Sequence, residues 1–401
     1  MSEKNLIEKL CIKNEKKIIL LIMDGVAGLP INGKTELEAA KTPNLDALAE
    51  KSEVGLSLPI LPGITPGSGP GHLGVFGYNP LDYEIGRGVL EAVGIGMKLD
   101  NKSLAARCNF CTIDKNKIIT DRRAGRIPTE KNIELCKKLK ENIKMIEDVE
   151  VIIEAGKEHR FVVVFRGEGL EEPISDADPQ KEGLSYLYSK ALAPAAEKSA
   201  RIVNKFLDKV IEVLKDEHPA NAALLRGAAK TPDIPSMEKR FKLKAAAIAV
   251  YPMYRGLASL VGMELLDAGQ TIKDEIETLK KHYNDYDFFF IHIKKTDSYG
   301  EDGNFDNKIH IIEEVDELMP EILKLNPDVL CITADHSTPC LLKAHSWHPV
   351  PLLIYSPFVR PSGIKGFNEK ECAKGNLGII ESKYIINLLL ANALKLNKYG
   401  A

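Results

Sequence analysis

No stretch of this sequence approaches the ~20 consecutive apolar residues that a bilayer-spanning helix needs, so no role inside a membrane is expected. Charge of one sign is also missing. Lys and Arg total 54 against 57 Asp and Glu, a net charge of −3. That balance builds no large basic field, and nucleic acid is not an expected partner. The opening MSEKNLIEKLCIKNEKK mixes both charges and has no apolar signal core, so a cytoplasmic location is the expectation. A disulfide framework is lacking: the seven cysteines are scattered and odd in number, a pattern suited to a reducing compartment. Cys108 and Cys111 form one CxxC within the strand-like RCNFCTI. No second pair completes a zinc site, so two structural cysteines are expected. There is no GxxxxGK[ST] loop, hence no support for a conventional ATP site, and no internal repeat or low-complexity segment.

What is present is an ordinary globular balance, 44% apolar and 28% charged over 401 residues, long enough for two or three domains. KIILLIM (17–23) reads as a buried strand ending abruptly at Asp24. KTELEAAKTPNLDALAEKS reads as helical turns broken at Thr42-Pro43, with a short helix from Asn44 to Ser52. PILPGITPGSGPGH (59–72) is so rich in Gly and Pro that a shaped loop, not a regular element, is expected. From 104 to 214 a separate α/β unit is expected, with strands near 104–113, 149–154 and 161–166 and a helix over 192–214. After 225 strand patterns return at 243–251, 287–293, 328–334 and 351–356, with helical patterns at 255–267, 271–281 and 308–324. This alternation predicts a mostly parallel sheet flanked by helices. The domain reading is a discontinuous core, 1–100 plus 226–401, interrupted by an inserted domain at 101–225.

Several charged groups fall just after predicted strands: Asp24, Asp297, and the pair Asp335-His336. The carboxyl ends of strands in an open α/β sheet are where ligands bind, and carboxylates with imidazoles gathered there suit divalent cations. KAHSWHPVP adds His345 and His348; Glu301 follows Asp297 by four residues. Taken singly, a strand-end Asp is a turn or cap residue and a lone His a structural one. Together with a serine in a glycine-rich loop, Ser68, they suit phosphoryl transfer. Cations neutralise the ester's charge, lower the serine pKa, and clamp attacking and leaving oxygens. Arginines from a second domain, densest at DRRAGR (121–126), suit bidentate binding of phosphate or carboxylate.

MDGVAGLP, KTELEAAKTPNLDALA, GSGPGH, GRGVLEAVGIGM, IHIKKTDSYGEDG, TADHSTP and KAHSWHPVPLLI resemble the cofactor-independent phosphoglycerate mutases. The resemblance is to their archaeal-type branch, in the alkaline phosphatase superfamily, and runs over nearly the whole chain. It implies an alkaline-phosphatase-like mostly parallel sheet and an inserted substrate-binding domain. It also implies two divalent ions, with Mn2+ first and Mg2+, Co2+ or Zn2+ as alternatives. Asp24, Ser68, Asp335 and His336 match the ligands of one ion, Ser68 being also the phosphorylated nucleophile. Asp297 and His345 match ligands of the other, with His348 as a competing choice for His345.

Two departures stand out. Glu301 replaces the family's usual histidine, with Asp302 adjacent, while Asp306 and His310 repeat the Asp-x-x-x-His spacing in a helix start. Ser68 is followed by Gly-Pro-Gly-His72 rather than Asp-Thr-Ala-His. Substrate-binding candidates in the insert are Arg122, Arg123, Arg126, His159, Arg160, Asp176 and Asp178. Arg226 and Arg255 are candidates from the core side. Arg122 and Arg123 are adjacent, so in an extended chain they would not both face inward.

The resemblance implies conversion between 3-phosphoglycerate and 2-phosphoglycerate without 2,3-bisphosphoglycerate. A phosphoserine forms at Ser68, the glycerate is held between domains, and Asp176, Asp178 or His159 shuttles the proton. The competing readings are a phosphatase or a homoserine-kinase-like phosphotransferase on the same scaffold, and a non-enzymatic metal-binding protein. The sequence sets no oligomeric state.

Overall fold

A computed structural model describes residues 3–83 and 85–400. The chain divides into two compact units, Met1–Glu84 with Ile234–Ala401, and Ile85–Asp233. The division therefore lies at 84/85 and 233/234, where the sequence reading set it near 100 and 225. The helix Arg87–Gly94 and the strand Ala222–Lys230 account for the difference: both pack on the strand Ser103–Ile113 of the second unit. Among the described residues no helix is long and apolar enough to cross a membrane.

Among the described residues the first unit holds eight strands: β1 Ile18–Met23, β2 Glu53–Leu58, β3 Ala245–Ala249, β4 Glu264–Leu265, β5 Phe288–Ile293, β6 Val329–Thr333, β7 Val350–Tyr355 and β8 Ile379–Glu381. Their order in the sheet is β4-β3-β5-β1-β6-β7-β2-β8. β7 runs antiparallel to β6 and β2, and the other neighbours are parallel. The expected mostly parallel α/β sheet is thus present. Its central strands read IILLIM, FFFIHI and VLCIT and are buried at every position, as strands covered on both faces must be. Three helices of this unit matter below: α1 Ser68–Val75, α2 Lys295–Asp302 and α3 Phe305–Leu323.

Register places the site. Met23 of β1 pairs with Ile293 of β5, and Ile22 with Thr333 of β6. The residues that follow, Asp24, Lys294 and Ala334-Asp335, therefore leave one sheet edge side by side. Ser68 corrects the loop expectation for 59–72: it opens α1 instead. Here glycine serves close packing rather than looseness, since a Cβ on Gly71 would lie 2.5 Å from the carbonyl oxygen of Asp335.

The second unit is an antiparallel six-stranded sheet around Ser103–Ile113, which pairs with Ile119–Asp121, Arg160–Arg166 and Ala222–Lys230. The helices Thr129–Asn142 and Glu197–Leu214 complete its core, to which Leu135, Leu139, Phe206 and Val210 contribute. Cys108 and Cys111 lie fully buried in its central strand, and burial raises both thiols well above their ordinary range. Inert packing is what such thiols do.

Candidate active site

In the first unit Asp24, Asp335 and His336 are fully buried and converge at the sheet edge. His336 Nε2 lies 3.1 Å from Asp335 Oδ2, 3.4 Å from Asp24 Oδ1 and 3.5 Å from Ser68 Oγ. Asp24, Asp335 and His336 offer ligand atoms that all lie within 4.8 Å of one another; so do Asp297, His336 and His345. Burial raises the Asp24 carboxyl, but contact with His292 and the charges of His336 and Lys294 outweigh it and hold Asp24 low. Burial, then the negative charge of Asp24, pushes Asp335 up to about 7.

Hydrogen bonding fixes which imidazole nitrogen is free. Thr338 Oγ1 donates to Asp297 Oδ1 and lies 3.0 Å from His336 Nδ1. His336 Nδ1–H must then donate to that hydroxyl, leaving the Nε2 lone pair toward Asp24, Asp335 and Ser68. His345 Nδ1–H donates to the carbonyl of Pro66 at 3.0 Å. Its free Nε2 faces Asp297 Oδ1 at 3.5 Å and Glu301 Oε1 at 3.8 Å. Asp297 and Glu301 stand one turn apart on α2, which carries both toward His345. His348 takes another path: its Nδ1 meets Ser346 Oγ at 3.0 Å and its ring stacks on Trp347.

These donors fit divalent cations. Asp24 Oδ1 and Asp335 Oδ2 are buried with no hydrogen-bond partner, although buried carboxylate oxygens need one. Unprotonated imidazole nitrogens held by backbone or hydroxyl partners on their other side are how histidine ligands are usually oriented.

Sequence reasoning missed Lys294. Its ammonium lies 3.1 Å from Asp24 Oδ2 and 3.0 Å from Tyr254 OH, and it contacts Asp297 Oδ2. It thus stands between the two donor groups. His72 was noted only as part of the serine motif. It is fully buried, with Nδ1 2.9 Å from the Ser68 carbonyl and 3.1 Å from Asp335 Oδ2. Burial lowers its pKa to about 4, so it is a neutral donor there.

Ser68 is half-buried and is the first residue of α1. The first intrahelical bond is made by Gly71 N–H to Gly67. The N–H groups of Ser68 and Gly69 therefore have no intrahelical acceptor, and Pro70 has no N–H to offer. Such a helix start favours an anion on the serine side chain.

The second unit holds a cavity of about 180 Å³ lined by Arg107, Asn109, Arg122, Arg123, Arg126, His159, Arg160 and Arg226. The expectation that Arg122 and Arg123 would not both face inward fails because the chain turns there. Asp121 accepts from the N–H of Arg123 and of Gly125, and Ala124 and Arg126 adopt positive φ. Asp178, with a fully buried side chain, receives Arg122 Nε and Nη2 at 3.1 and 2.6 Å. Asp176 accepts from Gly227 N–H at 2.8 Å and lies 3.5 Å from Arg226 Nε. These two acids orient arginines.

One core-side placement needs correction. Arg226 belongs to the second unit, paired across strands with Arg107. Arg255 stays in the first unit and is occupied by the carbonyls of Ala249 and Leu266. Arg107, paired with Glu91 at 3.0 Å, was missed because a lone arginine in an apolar strand carries no motif. Burial, then Arg160, lowers His159 to about 4.

A sequence profile of 2,3-bisphosphoglycerate-independent phosphoglycerate mutase matches residues 49–221. Two relatives are each named a probable 2,3-bisphosphoglycerate-independent phosphoglycerate mutase. That of Thermosipho africanus is 58% identical over 402 residues, covering 100% of both chains. That of Thermotoga maritima is 57% identical over 395 residues, covering 98% of both. The solved cofactor-independent phosphoglycerate mutase of Thermoplasma acidophilum superposes with a TM-score of 0.79 at 30% identity, over 94% of this chain and 100% of its own.

Proposed function

Because the chain belongs to the 2,3-bisphosphoglycerate-independent phosphoglycerate mutase family and carries two clustered donor groups that could hold a metal ion, we propose that it interconverts 3-phosphoglycerate and 2-phosphoglycerate through a phosphoserine at Ser68. The observation that carries this reading is the convergence of Ser68 Oγ, His336 Nε2 and two buried, underpartnered carboxylates at one sheet edge.

Asp24, Ser68, Asp335 and His336 would hold one divalent ion and Asp297, His345 and Glu301 a second, with Mn2+ favoured because most donors are oxygens. When bound, such ions supply Lewis-acid charge that lowers the serine pKa and neutralises the phosphate. Ser68 Oγ attacks phosphorus, the ester bond to the 3-oxygen breaks, and that oxygen takes up a proton. The 2-hydroxyl then gives up its proton and attacks phosphoserine, freeing Ser68. The N–H groups at the start of α1 and the Lys294 ammonium offset charge on the transferring group. The arginine cavity binds the substrate's anionic groups, and His159, neutral and without a hydrogen-bond partner at Nδ1, is the group suited to carry the proton.

Phosphorus NMR of 3-phosphoglycerate with chelator-stripped protein, without bisphosphoglycerate and before and after adding Mn2+, tests the proposal. Metal-dependent appearance of 2-phosphoglycerate supports it. Free phosphate alone would make the protein a phosphatase, and no reaction would redirect the search to another phosphoryl acceptor.

A further inference from the structure

Lys308 is fully buried, on the first turn of α3. An ammonium in a protein interior is costly unless its donors are matched. This one is matched. Lys308 Nζ donates to the carbonyl of Gly25 at 3.0 Å and that of Thr338 at 2.8 Å, and lies 3.5 Å from Glu36 Oε1. Glu36 is itself fully buried and accepts from Cys340 N–H at 2.9 Å.

The two carbonyls belong to the two loops that carry the site. Gly25 directly follows Asp24. Thr338 comes two residues after His336, and its hydroxyl bridges His336 Nδ1 and Asp297 Oδ1. Thr338 N–H also donates to the Gly25 carbonyl at 3.1 Å. No room is left for adjustment around this knot. Gly25 has φ +59, and a Cβ there would meet Thr338 Oγ1 at 2.3 Å; a Cβ on Gly300 would meet the Thr338 carbonyl oxygen at the same distance.

We infer that Lys308 is a positioning residue, its ammonium joining the Asp24–Gly25 loop to the His336–Thr338 loop so that both donor groups keep their spacing. This rests on the reading of Asp24, Asp335 and His336 as metal ligands. Lys308 touches neither substrate nor cation, and acts through backbone carbonyls. Glu36 supplies the counter-charge that makes its burial tolerable.

The test is a Mn2+ titration by calorimetry and electron paramagnetic resonance on the full chain, with melting followed in parallel. Lys308→Met alone would strand Glu36 as an uncompensated buried charge, so the informative variants remove both charges. Lys308→Met with Glu36→Gln is expected to bind Mn2+ about 10–100-fold more weakly, the range typical of groups that orient ligands, and to broaden the Mn2+ spectrum. Lys308→Gln with Glu36→Gln carries an amide that can donate to the same carbonyls and is expected to recover part of that affinity. Equal affinity of the two double variants, or wild-type affinity in the Met version, would overturn the inference. Wild-type protein that binds no Mn2+ would instead overturn the metal reading, so the two failures are distinguishable.

Discussion

Glu275 lies in the helix Ile272–His282, is 3% exposed, and lines a cavity of about 200 Å³ with Tyr251, His292, Lys294 and Lys295. Burial, then the negative charges of Asp274 and Glu314, pushes its carboxyl from the ordinary 4.5 to about 9. The folded protein therefore holds this proton more tightly than the unfolded chain does. The stability it contributes is fully present below pH 4.5 and is lost as pH rises toward 9. At ~1.4 kcal/mol per pH unit, a neutral Glu275 costs the folded state about 3 kcal/mol at pH 7 and under about 1 kcal/mol at pH 5. Glu275→Gln keeps the shape and removes the ionisation. Its advantage over wild type should grow by roughly 3 kcal/mol between pH 5 and pH 7, read from urea denaturation of both proteins at each pH. All other titrating groups are common to both and cancel in the difference. An advantage that stays constant with pH would refute the reasoning.

Asp178→Asn removes the charge that holds Arg122 by two hydrogen bonds. The expected outcome is a KM for phosphoglycerate raised roughly 10-fold with kcat changed far less, the signature of lost ground-state binding; steady-state kinetics checks it. Glu301→Ala should weaken the Asp297–His345 site about 10–100-fold for Mn2+ while sparing the Asp24–Asp335–His336 site. Calorimetry would show two affinities where the wild type is more uniform. An unchanged second affinity would assign that position to Asp297 and His345 alone.

Much of the site was legible because parallel strands print their ends in sequence. KIILLIM, DFFFIHI and DVLCITA stop at charged residues, and the sheet order then brings Asp24, Asp297 and Asp335-His336 together. Position within a helix was less legible. Ser68 was assigned to a loop because glycine and proline argue against a helix, yet Gly71 is small so that α1 can pack against Asp335. Lysines were the least legible. Lys294 and Lys308 sit in ordinary charged stretches, and only tertiary contacts show one between two carboxylates and the other buried under two carbonyls. The strand Ala222–Lys230 was hidden by its alanines and glycine, so Arg226 was read with the wrong unit. The Asp306–His310 spacing lies on α3, and neither residue is in the clustered donor groups formed by the described residues.

The central claim is that Ser68 carries the phosphoryl group in transit. The direct measurement is mass spectrometry of the Ser68 peptide from Mn2+-loaded protein, acid-quenched during turnover of 3-phosphoglycerate, with Ser68→Ala assayed alongside. The account predicts one phosphoryl group on Ser68 during turnover and no 2-phosphoglycerate formed by Ser68→Ala. Isomerisation that persists in Ser68→Ala, with its circular dichroism unchanged, would contradict it.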